Sequence, residues 1–172
     1  MSGIVVTGLN KKTAVCQNLI SLLANDIDIQ GVWTIASNIT DQVEDLIHLA
    51  TQSASTPSVF PLLQVYSMSS KTSQSDKDFI GETQWDIDVT IRGANVFPDE
   101  ADAYNWVRTA SDLVETKTAG STILESVDDL NDVETECEVV SYRVGNTTQY
   151  LAAFLTILRV KPIVENEPQE LV

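Results

Sequence analysis

Few side chains in this sequence have types and spacings that could do chemistry: one histidine, two cysteines and several groups of carboxylates. His48 is the only histidine, so any imidazole mechanism must use it. It stands between Ile47 and Leu49 in a helical pattern, with no cysteine or serine motif nearby, and reads as a surface or partly packed residue. Cys16 and Cys137 lack the basic neighbours that would favour a thiolate, and read as inert free thiols rather than a disulfide. Asp86 and Asp88 are two residues apart in an alternating segment, so they share one face of a strand. Paired carboxylates perform acid–base work when their environments push their pKa values apart. Glu125, Asp128, Asp129, Asp132, Glu134, Glu136 and Glu138 form a denser acidic run with no Lys or Arg among them. Oxygen ligands in such runs can hold calcium, but an EF-hand loop needs acids at alternate positions and glycine at the sixth. Counting from Asp129, those places hold Asn131, Val133 and Thr135, with Glu134 at the sixth, so the pattern fails. Nucleotide-binding glycine loops, H-E-x-x-H and G-x-S-x-G are all absent, and no cofactor or metal ligand set is predicted. The sequons at Asn38 and Asn146 carry no weight without an export signal.

Charge narrows the function classes further. Ten Lys and Arg against 25 Asp and Glu give a formal charge of -15 and a pI of about 4.1. Proteins that grip nucleic acid or anionic membranes do so with clustered cations, so both roles are disfavoured. The chain has 172 residues, 43% of them hydrophobic, enough to support one domain with its own core. No run approaches the ~18 apolar residues of a membrane helix. Ile4 to Val6, followed by Lys11 and Lys12, is too short and wrongly flanked for a signal peptide, which predicts synthesis in a cytoplasm.

The elements that must position these residues follow from periodicity. Val15, Leu19, Leu22 and Leu23 predict a helix over 11–25. Thr40 is a good N-cap for a second helix with Val43, Leu46, Ile47 and Ala50 as its apolar face, ending near 51–57. Residues 31–36 between them fit either a strand or a loop. Residues 60–68 read as a strand, with Pro61 at its start or on an edge, followed by a mobile polar loop over about 69–78. Trp85, Ile87, Val89 and Ile91 alternate with polar residues and mark a strand with one buried and one wet face, broken by Gly93. Pro98, Asp99, Glu100 and Asp102 open a helix with the stripe Ala103, Trp106, Val107, Ala110, Leu113 and Val114, ending before Gly120. Residues 134–144 predict a strand, Gly145-Asn146 a turn, and 150–160 a final strand apolar on both sides. Such a strand needs cover on both faces, from a helix on one and from the first helix or a neighbouring subunit on the other. The predicted fold is α+β: an antiparallel four-stranded sheet of two hairpins, flanked by an N-terminal helix and a central amphipathic helix. Residues 1–164 would form the single domain and 165–172 an acidic flexible tail.

The order of an N-terminal helix, a hairpin with a long polar loop, a helix opening on Pro98-Asp99-Glu100, and a closing hairpin with an apolar last strand over 150–160 resembles the tail terminator (tail completion) proteins of long-tailed bacteriophages. The resemblance spans about residues 13–161 and rests on element order and texture. It implies a structural virion protein and not an enzyme. Such a protein forms a ring, commonly six-fold, that caps the tail tube, ends its polymerisation and joins it to the head-neck connector. It further implies a homo-oligomer with the tail tube protein and head-neck connector proteins as partners. The place would be the tail-neck junction of the virion, with host cytoplasm as the site of assembly. The closing strand, with Phe154, Leu155 and Ile157, would then serve core and assembly. Acid-lined subunits around a channel would let DNA slide without sticking, with Asp86 and Asp88, or Glu134, Glu136 and Glu138, as the lumen residues. The competing class is a small α+β enzyme or ligand-binding module with a carboxylate-lined pocket between sheet and helix, built on Asp86 and Asp88. One outcome follows from charge alone: at ~150 mM salt the protein should show no measurable affinity for duplex DNA in a fluorescence anisotropy titration. Tight binding there would overturn the conduit expectation.

Overall fold

The structure is a computed structural model that describes residues 5–6, 10–52, 59–74, 83–119, 133–160 and 163–164. In chain order the elements are β1 (Val5–Val6), α1 (Lys11–Ala24), α2 (Ile27–Val32), a 3-10 turn (Ala36–Asn38), β2 (Ile39–Thr40) and α3 (Leu46–Gln52). Then come β3 (Leu62–Gln74), β4 (Thr83–Phe97), α4 (Glu100–Ala119), β5 (Glu134–Val144), β6 (Thr147–Val160) and β7 (Ile163–Val164).

The principal sheet has five strands in the order β2-β3-β4-β6-β5, and β1 and β7 form a separate parallel pair. This corrects the expectation of an antiparallel four-stranded sheet. The four long strands are antiparallel to their neighbours, but β2 pairs parallel with β3, Ile39 opposite Leu63 and Thr40 opposite Gln64, so the sheet is mixed. A two-residue strand has no alternation to detect, which is why periodicity passes over it. Thr40 therefore sits in a strand rather than capping a helix, and the cap of α3 is Asp45, whose Oδ1 accepts from the Ile47 and His48 amides at 3.0 and 3.4 Å. Of the segment left open at 31–36, Gly31 and Val32 end α2, 33–35 are irregular and Ala36 opens the 3-10 turn, so it is no strand. The N-cap of α2, Asp26, accepts from the amides of Asp28 and Ile29, both at 3.0 Å.

Two further expectations change. Residues 69–74, read as the start of a polar loop, continue β3 and pair with 83–88 of β4. Their serines and threonines tolerate extended backbone well, and the long partner strand supplies hydrogen bonds that composition alone does not reveal. The remainder of that stretch, 75–78, lies outside the described residues, as does the tail from 165. Gly93 does not end its strand: β4 runs on to Phe97. Gly93 is paired directly with Phe154, and a Cβ placed on it would run into the Phe154 ring. The glycine leaves room for the ring against the neighbouring backbone.

One face of the sheet is built from Leu63 and Val65 of β3, Ile87, Val89 and Ile91 of β4, and Ala152, Phe154, Leu158 and Val160 of β6. Two helices cover it. From α1 come Val15, Cys16, Leu19 and Leu23, and from α4 come Ala103, Val107, Ala110 and Val114, all buried. Trp33 fills the seam: its Nε1 donates to the Leu62 carbonyl at 3.0 Å, and its ring lies edge-on to Trp106 and Phe154 at 6.0 and 6.1 Å. A buried indole N–H must find an acceptor, and this bond fixes residue 33 against the start of β3. Lys117, in the last turn of α4, reaches Asp26 and Asp28 at 3.1 and 2.7 Å and ties α4 to the cap of α2. Burial alone would raise the Asp26 pKa, but the amides of Ile29 and Asp28 and the Lys117 ammonium outweigh it and hold the carboxyl below its ordinary value. That stabilisation is present at neutral pH and is lost as pH falls through the lowered folded-state value.

Phe154→Ala should cost about 3–5 kcal/mol in urea unfolding, the usual loss for a buried phenylalanine. Gly93→Ala should cost ~1–3 kcal/mol, because the new methyl displaces that same ring. Combined, the two substitutions should cost less than their sum, since removing the ring makes room for the methyl.

Candidate assembly surface

Register places the side chains of the opposite sheet face. Directly paired residues in antiparallel strands share a face, and the face alternates along each strand. Opposite the face packed by α1 and α4 lie Asp86, Asp88, Thr90, Arg92, Ala94 and Val96 of β4 and Leu151, Ala153, Leu155, Ile157 and Arg159 of β6. Glu134, Glu136 and Glu138 of β5 pair with Ile157, Leu155 and Ala153, so they join the same face. Both acidic sets singled out in the sequence therefore stand on one surface. The other acids of the run, Glu125, Asp128, Asp129 and Asp132, lie outside the described residues.

Part of this surface is closed. At one end α3 lays Leu46 and Ala50 against Leu62, Ala94, Leu151 and Ala153, with Phe60 completing a second small core. The second cover that an apolar β6 requires thus comes, at that end only, from α3 and not from the first helix, which packs beside α4 on the other face. Beyond it Leu155 is half-buried and Ile157 is 41% exposed, whereas Phe154 points the other way and is fully buried. The three residues expected to serve core and assembly thus divide: Phe154 belongs to the helix-covered core, and Leu155 and Ile157 belong to the open face.

The open end is held by polar contacts. Arg159 Nε donates to Asp88 Oδ1 at 3.1 Å, and Ser69 Oγ donates to Asp88 Oδ2 at 3.2 Å, linking three adjacent strands in one row. The Arg159 and Asp88 side chains are 40% and 42% exposed, so the pair orders the surface but is worth little in stability. In the row of Gln64, Arg92, Leu155 and Glu136, Arg92 Nε donates to Gln64 Oε1 at 2.7 Å and Arg92 Nη2 to the Glu44 carbonyl at 2.7 Å. Asp86 keeps a buried Oδ1 without a hydrogen-bond partner among the described residues. Asp86 and Asp88 face away from α1 and α4, and the space between sheet and helices is filled by the core, so these carboxylates do not line the expected pocket. Among the described residues no group of three or more acidic, histidine or cysteine side chains is placed to hold a metal ion. No helix among them is long and apolar enough to cross a membrane.

Arg159 and Ser69 escape a search for chemistry in the sequence. The signal was present in one of them: an arginine interrupting an otherwise apolar strand, at the same parity as Leu155 and Ile157, has to face something wet or charged. Ser69 had no such mark. His48 is exposed on α3. Cys137 is exposed on β5, its thiol 3.3 Å from Ser111 Oγ, while Cys16 is buried in α1.

No protein family and no curated protein matches this sequence. Among solved structures, a chain described as "Virion of native gene transfer agent (GTA) particle" is similar at 12% identity, covering 86% of this chain and 96% of that one, with a TM-score of 0.38. A likeness of that size passes no residue role from that protein to this one.

Burial, and after it the charge of Asp41, pushes the Cys16 thiol up to about 11. Alkylation of the native protein at pH 8 should therefore modify Cys137 and spare Cys16, which reacts only after unfolding; mass spectrometry of the labelled peptides reads this directly.

Proposed function

We propose that this chain is a structural subunit of a tailed-phage-type virion, acting as a tail terminator. Copies of it form a ring, six-fold in the resembled family, that caps the tail tube, ends its polymerisation and offers a new surface to the head-neck connector. The observation that carries this reading is that Asp86, Asp88, Glu134, Glu136 and Glu138 share one face of one sheet, opposite the helix-covered core. That face sets these five carboxylates against Lys71, Arg92 and Arg159, so repeated around a ring it presents a net negative surface to whatever passes along it. Phosphates passing an array of carboxylates are repelled, so duplex DNA would slide rather than adhere. The apolar closing strand fits the same reading, since Leu155 and Ile157 remain open beside the acids.

Light scattering on the purified chain, alone and after addition to polymerising tail tube protein, tests this. The expected results are a ring-sized particle and tubes whose growth stops at the capped end. Reversing Glu134, Glu136 and Glu138 together to Lys should leave the fold intact and create salt-sensitive retention of duplex DNA. A chain that remains monomeric and leaves tube growth unchanged would overturn the reading.

A further inference from the structure

The principal sheet ends in two unlike edges, and their difference points to how copies of this chain meet. At one end β5 presents its whole outer side, residues 134–144, to no strand among the described residues. It pairs with β6 in continuous register without a bulge, and it contains no proline and no lysine. The two-residue turn Gly145-Asn146, with Gly145 at φ 62°, closes the hairpin at the pair Val144 and Thr147. The pair that closes such a turn exchanges both hydrogen bonds, and the pairs alternate from there. Backbone groups of residues 144, 142, 140, 138, 136 and 134 therefore bond to β6, while those of Thr135, Cys137, Val139, Ser141 and Arg143 point outward. At the other end β2 covers only Leu63 and Gln64 of β3, and no described strand covers β3 from Val65 onward.

We infer that the outer edge of β5 takes the stretch of β3 beyond its bulge at 67–68, residues 69–74, of a second copy as an added antiparallel strand. Three observations choose this occupant. First, β3, β4, β6 and β5 each run antiparallel to the next, so β5 and β3 point in opposite directions. A neighbour related by rotation about a ring axis presents its β3 to β5 in the antiparallel sense, with the helix-covered faces on the same side. Second, charge matches. β5 carries Glu134, Glu136 and Glu138 on one face, whereas residues 65–74 contain no Asp or Glu and carry Lys71. Lys71 is exposed and pairs with Asp86, which puts it on the same sheet face as the three glutamates. Added to the β5 edge, Lys71 would join their row, where opposite charges across strands are favourable. Third, the obvious competitor is unfavourable: a second β5 would bring three more carboxylates to the same face of the seam. Repetition of an unlike pair of edges is head-to-tail and closes into a ring when the rotation closes.

This inference rests on the self-assembly reading above, and the test separates the two. In a Cys137→Ser background, chains carrying Ser69→Cys or Lys71→Cys are mixed with chains carrying Glu134→Cys, Glu136→Cys or Glu138→Cys, then mildly oxidised. Each chain holds one half of the pair, so any disulfide between the two types is between copies. Expected is cross-linking of a β3 cysteine to a β5 cysteine, in excess of like-with-like products. A dominant like-with-like product from the β5 variants means a two-fold β5 seam and overturns the proposal. A ring-sized particle with no β3–β5 cross-link overturns the seam and leaves the ring standing; a monomer overturns both. Val139→Pro removes one outward N–H without touching the bonds to β6, and should weaken self-association about fivefold per seam while cooperative thermal unfolding is retained.

Discussion

Phe154 lies across Gly93, and much of the molecule is arranged to permit it. The ring occupies the space a side chain on β4 would fill and meets Trp33 and Trp106 on its other sides. Because Trp33 is bonded to the Leu62 carbonyl, the aromatic cluster joins the residues after α2, the start of β3, the middle of β4, β6 and α4. These elements are far apart in sequence. One packing constraint thus sets which stretch of β6 stands beside which stretch of β4, and with it the parity of every residue on both faces.

That parity decides the character of the open surface. With Phe154 directed into the core, Leu155 and Ile157 must face the other way, beside Glu136 and Glu134. The same alternation along β4 turns Ile87, Val89 and Ile91 inward and leaves Asp86 and Asp88 outward. A shift of one residue would exchange these sets and bury the carboxylates, at prohibitive desolvation cost. Core packing and surface charge therefore enforce one register together.

Strong periodicity was readable in the sequence. The stripe of α4, the alternation of β4 and the apolar β6 all follow from spacing, because each element is long and one of its faces is buried. Legibility failed where information is not local. β2 owes its existence to pairing with Leu63 and Gln64, and Ile39 and Thr40 by themselves carry no strand pattern. The polar residues 69–74 are extended because 83–88 lie opposite. Gly93 looked like a breaker, since a glycine in a strand has the same appearance whether the chain turns there or a ring from the next strand rests on it. At the surface, the two acidic groups were visible as residues, but their convergence on one face depends on β6 lying between β4 and β5, an order that no local pattern encodes.

The tight turn at Gly145 has a dynamic consequence. By fixing which β5 amides bond to β6, it divides the strand into two interleaved populations of N–H groups. In a lone subunit the even-numbered amides would exchange with solvent deuterium slowly and the odd-numbered ones quickly, giving a two-residue periodicity of protection. An added strand would slow the odd set and erase the contrast, so the exchange pattern of this one strand serves as an internal gauge of whether its outer side is occupied.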